Sequence, residues 1–216
     1  MNTAATALQA SQLACIRGAR RLFHHVEVDL RPGDALRVSG TNGSGKSSLL
    51  RILCGLATPS KGVVSWRGAD IRRQRSEFAR SLVYLGHARG IKDELPPVEN
   101  LMAAAGVFGA RVTRAEAERA LEAVGLTAVQ DLPCHALSQG QRKRAALARL
   151  ELKELGALWV LDEPFSALDR PAVDALSHTL ERHLARGGML VYTTHQDVGL
   201  EAARAQELDL DRARAW

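Results

Sequence analysis

The sequence is poor in aromatic residues and has no long apolar run. Aromatic residues make up 4% of the 216-residue chain, so the stacking surface typical of proteins that bind single-stranded nucleic acid is thin. The longest apolar stretch, residues 101–110, is too short for the roughly 18 residues that cross a bilayer, and the N-terminus lacks a charged segment followed by a leader core. We therefore expect a folded protein that is neither a pore nor secreted.

Cysteine is also scarce. Cys15, Cys54 and Cys134 show no CxxC spacing, which argues against both a disulfide framework and a zinc site. Small thiols in the core or at the surface, in a reducing compartment, are expected instead. The charged fraction of 25% and the apolar fraction of 46% are typical of a folded globular protein. The net charge of +5 indicates attraction to anions such as nucleotides, nucleic acid or acidic lipid.

Strand and helix signals alternate in the last third of the chain. Apolar runs at 157–161 and 189–194 are typical of parallel strands covered on both faces. Between them, apolar residues at helical spacing follow Asp169, which is placed to cap a helix, and Pro171, which lies in its first turn. This βαβ pattern predicts an α/β fold with a largely parallel sheet.

Other segments extend this pattern. Residues 1–30 alternate as short strands, and 62–66 predicts another strand. Thr113 and Glu116 form a capping box that opens a helix ending near Gly125. Since no repeat, low-complexity tract or linker divides the sequence, we expect a single domain over 1–216.

A glycine-rich loop joins a strand predicted at 35–38 to a helix predicted at 46–53. Glycines allow backbone amides to surround phosphate oxygens, and the helix N-terminus adds positive potential. We expect Lys46 to reach the β- and γ-phosphates of a nucleotide and Ser47 to bind Mg²⁺. The loop fits the pattern G-x-x-x-x-G-K-[ST] with Gly40, Thr41, Asn42, Gly43, Ser44, Gly45, Lys46 and Ser47.

Two carboxylates follow the strand predicted at 157–161. By itself such a pair is an ordinary solvated loop, but in a chain with a phosphate-binding loop it matches the Walker B arrangement. We expect Asp162 to bind Mg²⁺ through the water molecules that surround the ion. Glu163, held extended by the following Pro164, is expected to polarise the water that attacks the γ-phosphate.

Two further segments are ambiguous in isolation. Residues 137–141 read Leu-Ser-Gln-Gly-Gln and precede a helix predicted at 142–155. Ser138 and Gln141 make a capping box by themselves, which is a sufficient structural reason for the pair. His195 follows the strand predicted at 189–194, where a lone histidine is more often a core or surface residue.

The order of these segments resembles the ATP-binding cassette (ABC) family, whose signature sequence is LSGGQ. The phosphate loop, the signature, the acidic pair, Ala167-Leu168-Asp169 and His195 occur in the family's order. The resemblance implies a P-loop NTPase fold of the ABC type, with an antiparallel β subdomain and an inserted helical subdomain at about 88–155. It also implies that ATP and Mg²⁺ are the cofactors.

In that family two cassettes face each other, with each nucleotide between them. The resemblance implies that the phosphate loop of one subunit, extended by Ser48, is completed by the signature of the other. It further implies that His195 hydrogen-bonds the γ-phosphate and helps to position the attacking water, with Asp169 ordering the opposite subunit. The signature residues are Ser138, Gln139, Gly140 and Gln141.

Three positions depart from the ABC pattern. The family has a glutamine that senses Mg²⁺ and couples to the membrane partner, whereas here His87 stands at or near that position and is a further candidate for the metal. The aromatic residue expected to stack on adenine is absent, and Arg17 is nearest to its place, with a planar guanidinium as the candidate for stacking. Gln139 replaces the third signature residue, a glycine.

Within the family, the linking segments resemble the ATPase subunits of cytochrome c maturation heme exporters. The resemblance implies a homodimer that docks on hydrophobic membrane-spanning subunits, at the cytoplasmic face of a bacterial inner membrane. Heme would be handled by the complex and not bound by this chain, and no nucleic-acid partner is expected. The matching segments are 85–87, 90–95, 99–101, 159–165 and 193–196.

Other functions stay open at this point. The chain also fits the ATPase subunit of another ABC transporter. The charge of +5 fits a non-transport ABC ATPase that acts on nucleic acid or ribosomes. A nucleotide kinase would explain the phosphate loop, but it leaves the signature and His195 unexplained.

Overall fold

The computed structural model describes residues 7–86, 90–107, 111–152, 156–196 and 198–214. Its strands are β1 (Leu8–Arg17), β2 (Arg20–Leu30), β3 (Asp34–Ser39), β4 (Lys61–Trp66), β5 (Ala69–Asp70), β6 (Leu82–Leu85), β7 (Leu158–Leu161), β8 (Met189–Thr193) and β9 (Arg204–Asp209). Its α-helices are α1 (Lys46–Leu53), α2 (Arg75–Arg80), α3 (Pro97–Val107), α4 (Arg114–Ala123), α5 (Gln139–Leu147) and α6 (Arg170–Ala185). Single 3₁₀ turns lie at Thr127–Val129, Cys134–Ala136, Ala148–Glu151 and Arg212–Arg214.

The chain divides into two compact units. The first unit comprises Met1–Tyr84, Gly156–Glu163 and Leu180–Trp216, and the second comprises Leu85–Leu155 and Pro164–Thr179. All β-strands but the last residue of β6 belong to the first unit, whereas the second is helical. Among the described residues, no helix has the length and apolar character that a membrane crossing requires.

Two sheets form the first unit. One has the order β2-β1-β4-β5, with antiparallel neighbours. The other has the order β6-β7-β8-β3-β9, in which β7 pairs with β8, β8 with β3, and β3 with β9, all parallel. The α/β fold with a largely parallel sheet is therefore confirmed, and its carboxyl ends share one edge, where open α/β sheets bind ligands.

Residues 7–30 differ from the prediction of several short strands, and the predicted segment 1–6 lies outside the described residues. β1 and β2 are ten and eleven residues long, and their antiparallel pairing is interrupted by register shifts. Gln12 and His25 have positive φ angles of 54° and 52° in these strands. Such irregularities break the alternation of buried and exposed residues, which explains why the sequence pattern suggests shorter segments.

The core of the first unit is apolar and closely packed. The side chains of Phe23, Trp66 and Leu158 are completely buried in one cluster, to which α1 contributes Leu49 and Leu53. The burial of these side chains anchors α1 to the core, directly after the glycine-rich loop at 40–45. All three cysteines of the chain are buried and form no disulfide, so the prediction of thiols outside any disulfide framework is confirmed.

A separate apolar cluster forms the core of the second unit. Val98, Leu101, Leu121 and Leu126 lie in it with α5 and the following 3₁₀ turn. At the start of α4, the predicted capping box of Thr113 and its partner three residues later is confirmed.

The helix predicted at 142–155 is wrong at both ends. α5 begins at Gln139, because Ser138 caps it, and gives way to a 3₁₀ turn after Leu147. In that turn Ala148 and Leu150 are buried, and the Glu151 carboxylate accepts a hydrogen bond from the Thr179 hydroxyl. These tertiary contacts override the high helix propensity of the segment; its end at 153–155 lies outside the described residues.

Candidate active site

The phosphate-loop residues connect the carboxyl end of β3 to the start of α1 in the first unit. Gly40 and Gly45 have φ angles of 134° and 107°, which favour glycine. A Cβ on Gly40 would lie only 2.8 Å from Ser44 Oγ. The Ser44 hydroxyl is buried and has no hydrogen-bond partner among the described residues, so the loop contains a polar group that a ligand would satisfy.

The N-terminus of α1 is open to an anion. Its N-cap, Gly45, supplies no side-chain hydrogen bond, so the N-cap side chain leaves the first amides of the helix uncapped. Ser47 is exposed and Ser48 is half-buried in this first turn. A helix end of this kind attracts phosphate through its amides and its dipole.

Lys46 is held over the same loop. Its Nζ donates hydrogen bonds to the carbonyl oxygens of Gly40, at 2.7 Å, and Thr41, at 3.3 Å. Because an ammonium group has three donors, one remains for a phosphate oxygen. The position predicted for the lysine is therefore compatible with a role in binding the β- and γ-phosphates.

The C-terminal segment fixes the beginning of the loop. Asp211 accepts a hydrogen bond from the Thr41 backbone amide at 2.6 Å and another from the Thr41 hydroxyl at 2.9 Å. The two residues are 170 positions apart in the chain. Sequence reasoning missed this contact, since no local pattern links a lone carboxylate to so distant a threonine.

The carboxylates after β7 lie at the same edge of the sheet. Asp162 is 4% exposed, and its Oδ1 accepts a 2.8 Å hydrogen bond from the Thr193 hydroxyl at the end of β8. The same hydroxyl accepts a 2.8 Å hydrogen bond from the Glu163 backbone amide. Sequence reasoning did not assign Thr193; the only signal is a hydroxyl residue ending an otherwise apolar strand.

The prediction that Pro164 holds Glu163 extended is wrong. Glu163 has a φ angle of 51°, in the left-handed region that non-glycine residues rarely adopt. Its carboxylate is directed toward His195, and Oε1 lies 3.4 Å from His195 Nε2. The position of Glu163 is set by this positive φ and by the hydrogen bond from its backbone amide to the Thr193 hydroxyl, not by an extended backbone.

The donor set suits a magnesium ion. Asp162 Oδ2 is buried and has no hydrogen-bond partner among the described residues, which is the arrangement of a carboxylate oxygen reserved for a cation. Mg²⁺ is usually held by one or two carboxylates together with substrate phosphates and water. The described residues contain no cluster of three His, Cys, Asp or Glu side chains. The single free carboxylate oxygen of Asp162 next to a phosphate-binding loop fits an ion shared with a nucleotide.

The signature residues lie in the second unit, at the start of α5. Ser138 Oγ accepts a hydrogen bond from the Gln141 amide at 3.2 Å, and Gln141 Oε1 accepts one from the Ser138 amide at 2.9 Å. This confirms the capping box. Since the serine oxygen acts only as an acceptor there, its own O–H can still donate to a phosphate.

Two neighbours of the cap explain residue types in this segment. A Cβ on Gly140 would lie 3.3 Å from the Ala167 carbonyl oxygen, so a small residue suits that position. Gln139 is exposed at the first helical position, where a longer side chain than glycine meets no steric barrier. Asp169 caps α6 as predicted, because its Oδ1 accepts a hydrogen bond from the Ala172 amide at 3.1 Å.

The structure provides no support for the predicted roles of two candidate residues, Arg17 and His87. Arg17 is an exposed residue at the end of β1, paired with Arg20 across the sheet, and its stacking on adenine stays a prediction. His87 lies outside the described residues, so its candidate role at the metal also stays a prediction.

Comparison with known proteins gives a consistent result along the chain. A family model described as ABC transporter matches residues 23–166. The chain is 50% identical to the cytochrome c biogenesis ATP-binding export protein CcmA of Dechloromonas aromatica, over 94% of this chain and 99% of the relative. The protein of the same name from Pseudomonas aeruginosa is 48% identical over 91% of this chain and 97% of its own.

Solved structures share the fold. The ATP-binding subunit of an ABC transporter superposes with a TM-score of 0.76 at 26% identity, over 88% of this chain and 80% of its own. A putative ABC transporter ATP-binding protein from Pyrococcus furiosus gives 0.82 at 20% identity, over 97% and 100% of the two chains. A dimeric ATP-binding cassette in a post-hydrolysis state, bound to ADP and Pi, gives 0.76 at 21% identity, over 88% of each chain.

Proposed function

The chain belongs to the ABC transporter family, and we propose that it is the ATP-hydrolysing subunit of a membrane complex that handles heme for the biogenesis of c-type cytochromes. The observation that carries this proposal is the 50% identity to a cytochrome c biogenesis ATP-binding export protein along almost the whole of both chains. The chain is an ABC-type ATPase and binds ATP. The heme, the membrane partners and the residue roles belong to the proposal.

The proposed site binds ATP at the carboxyl edge of the parallel sheet. The amides of the loop from Gly40 to Ser48 and the Lys46 ammonium group surround the phosphates. Ser47 and Asp162 would hold Mg²⁺, which, when bound, neutralises charge on the phosphate oxygens. The orphaned oxygen of Asp162 and the unpartnered hydroxyl of Ser44 support this assignment.

Glu163 is the proposed general base. Its carboxylate polarises the water that attacks the γ-phosphate in line, and takes a proton from it. His195 is proposed to hydrogen-bond the γ-phosphate and to orient that water; the 3.4 Å distance between its Nε2 and Glu163 Oε1 supports this role. Their contact within one unit supports paired roles for the two residues.

The complete site is proposed to need two copies of the chain. The signature of one subunit, from Ser138 to Gln141, would cover the nucleotide bound to the other, with Asp169 at the same interface. A solved relative in fold is itself a dimer bound to ADP and Pi. The O–H of Ser138 and the backbone amides at the N-terminus of α5 would then supply donors to the γ-phosphate across the interface.

The likeness to the family and to the relatives supports the remaining parts of the proposal. One ATPase domain spans 1–216, with a helical subdomain at about 88–155. Two copies dock on membrane-spanning subunits at the cytoplasmic face of a bacterial inner membrane, and the complex rather than this chain contacts heme. Arg17 is the proposed adenine-stacking residue, and His87 the residue that replaces the coupling glutamine.

The chemical test is Glu163→Gln. Loss of the base should lower the rate of hydrolysis about 10²- to 10⁴-fold while ATP binding remains, because the phosphate contacts are unchanged. ATP should therefore trap a dimer, which size-exclusion chromatography with light scattering detects. Glu122→Gln, at an exposed position of α4, is the matched control and should behave as the wild type. Full turnover by Glu163→Gln would remove Glu163 from the role of base.

The biological test is complementation in a bacterium that lacks the corresponding ATPase gene. The wild-type chain should restore heme-stained c-type cytochromes, and Glu163→Gln should not. Membrane-spanning subunits should co-purify with the trapped dimer. Wild-type protein that hydrolyses ATP but restores no c-type cytochrome would contradict the heme assignment and leave the ATPase assignment intact.

A further inference from the structure

We propose that Thr193 is a positioning residue for ATP hydrolysis, whose single hydroxyl fixes both acidic residues at the end of β7. Thr193 is the last residue of β8 and is completely buried. The inference rests on the roles proposed above for Asp162 and Glu163. It assigns a function to a side chain that would not contact the nucleotide.

The directions of the two hydrogen bonds are fixed by chemistry. An ionised carboxylate only accepts and a backbone amide only donates. The Thr193 hydroxyl must therefore donate its one hydrogen to Asp162 Oδ1 and accept from the Glu163 amide, each at 2.8 Å. No alternative hydroxyl orientation satisfies both partners, so the two acidic residues are tied to one atom.

The first bond determines which oxygen of Asp162 faces a cation. With Oδ1 engaged by Thr193, the carboxylate cannot rotate freely about its terminal bond. Oδ2 remains buried and without a hydrogen-bond partner in the described part of the chain. Without the hydroxyl, the buried carboxylate loses a charge-assisted hydrogen bond and its fixed orientation.

The second bond stabilises the unusual backbone of Glu163. A positive φ of 51° is unfavourable for a residue with a Cβ and persists only when its surroundings hold it. The hydrogen bond from the Glu163 backbone amide to the Thr193 hydroxyl is one such restraint. Because φ determines where the Cβ points, the hydroxyl also determines where the Glu163 carboxylate lies relative to His195, two residues after Thr193.

A role in packing alone would be filled nearly as well by valine. Valine has nearly the shape of threonine and a high propensity for strands, but it lacks the hydroxyl. Thr193→Val therefore removes both hydrogen bonds, whereas Thr193→Ser keeps them. The difference between these two variants isolates the hydroxyl from the volume of the side chain.

The experiment compares hydrolysis and metal dependence in the full-length chain. For Thr193→Val we expect kcat to fall about 10- to 100-fold, since small displacements of catalytic groups have large effects on rate. The Mg²⁺ concentration for half-maximal rate should rise several-fold, while KM for ATP changes less than about threefold. Thr193→Ser should stay within about threefold of the wild type in all three quantities.

A second readout needs no nucleotide or metal. Hydrogen exchange at the Glu163 amide should be at least about tenfold faster in Thr193→Val than in the wild type, and close to wild type in Thr193→Ser. The matched control is Thr179→Val, which also removes a threonine bond to a carboxylate, that of Glu151. It should lower stability without changing the exchange of Glu163 or the Mg²⁺ dependence.

The outcomes separate this inference from the proposed function. If Thr193→Val matches the wild type, or Thr193→Ser is equally impaired, the positioning role is overturned while the ATPase assignment stands. The same holds if Thr179→Val reproduces the whole phenotype. Should the valine variant fail to fold, Thr193→Ala gives the same comparison with serine. Turnover by Glu163→Gln would instead overturn the role of the base, and the exchange measurement would still test the hydrogen bond.

Discussion

The N-termini of α1 and α5 are both candidates for binding phosphate, yet they are built differently. α1 begins after Gly45, with no side-chain cap, whereas α5 begins after Ser138 with a complete capping box. An uncapped helix end is incomplete without a ligand, but a capped end is stable by itself. In the proposed site, the first would bind the nucleotide of its own subunit, and the second would contact the nucleotide of the opposite subunit only while the dimer is closed.

The largest effect on ATP hydrolysis should come from substitutions that alter the N-termini of α1 and α5 separately. Lys46→Ala removes the ammonium group that lies over the phosphate loop, so we expect ATP affinity to fall at least about tenfold and hydrolysis about 100-fold. Ser138→Arg should abolish hydrolysis to a similar degree but leave the affinity of a single subunit for ATP unchanged. Titration calorimetry and steady-state ATPase assays measure the two quantities.

Mixing these two variants sharpens the test. A dimer of one Lys46→Ala and one Ser138→Arg subunit has one site with both defects and one site with neither. Equal amounts should therefore recover part of the wild-type rate, although each variant alone is inactive. If no activity returns while mixed dimers form, the signature does not complete the site of the opposite subunit.

A smaller effect distinguishes capping from ligand binding within the second unit. Thr113 of α4 and Ser138 of α5 occupy equivalent places in two capping boxes. Thr113→Ala and Ser138→Ala should each lower the free energy of unfolding by about 1 kcal/mol. Only Ser138→Ala should also lower the rate of ATP hydrolysis. Equal rates in both alanine variants would reduce Ser138 to a helix cap.

The last prediction should have the smallest effect on ATP hydrolysis, because it concerns the stability of the first unit at low pH. The ring of His183 stacks on that of Trp159, with centroids 3.8 Å apart, and burial lowers the pKa of His183 from 6.5 to about 4. Between these pH values the unfolded chain binds a proton that the folded chain does not, so stability falls as pH decreases through this window. At about 1.36 kcal/mol per pKa unit, His183 should lower the free energy of unfolding by at most about 3 kcal/mol between pH 7 and pH 4.

Urea unfolding at pH 7, 5.5 and 4 measures this contribution. His183→Leu lacks the titrating group, so its stability should fall less between pH 7 and pH 4 than that of the wild type. Equal losses in the two proteins would show that other groups account for the acid sensitivity.

Local patterns were sufficient where one short segment determines the structure. The limits of α1 agree with the helix predicted at 46–53, because apolar spacing and the preceding glycines act over a few residues. The capping boxes of Thr113 and Ser138 depend on partners three positions away. Asp169 caps α6 for the same reason.

Contacts between distant residues account for what the sequence could not predict. Thr179 donates a hydrogen bond to Glu151 in the 3₁₀ turn after α5, and the backbone amide of Glu163 donates one to Thr193, thirty positions away. Asp211 binds Thr41 across 170 positions. In each case a polar side chain satisfies a partner that only the folded chain brings near, so neither propensity nor spacing contains the information.

The partners of β3 have a consequence for the order of events during translation. β3 pairs with β9 at Arg204–Asp209, and Asp211 binds Thr41 at the beginning of the phosphate loop, directly after β3. A nascent chain still attached to the ribosome before these residues emerge has one unpaired edge on β3 and an unrestrained Thr41. We therefore expect the phosphate loop to reach its final conformation, and to bind nucleotide, only after nearly complete synthesis of the chain.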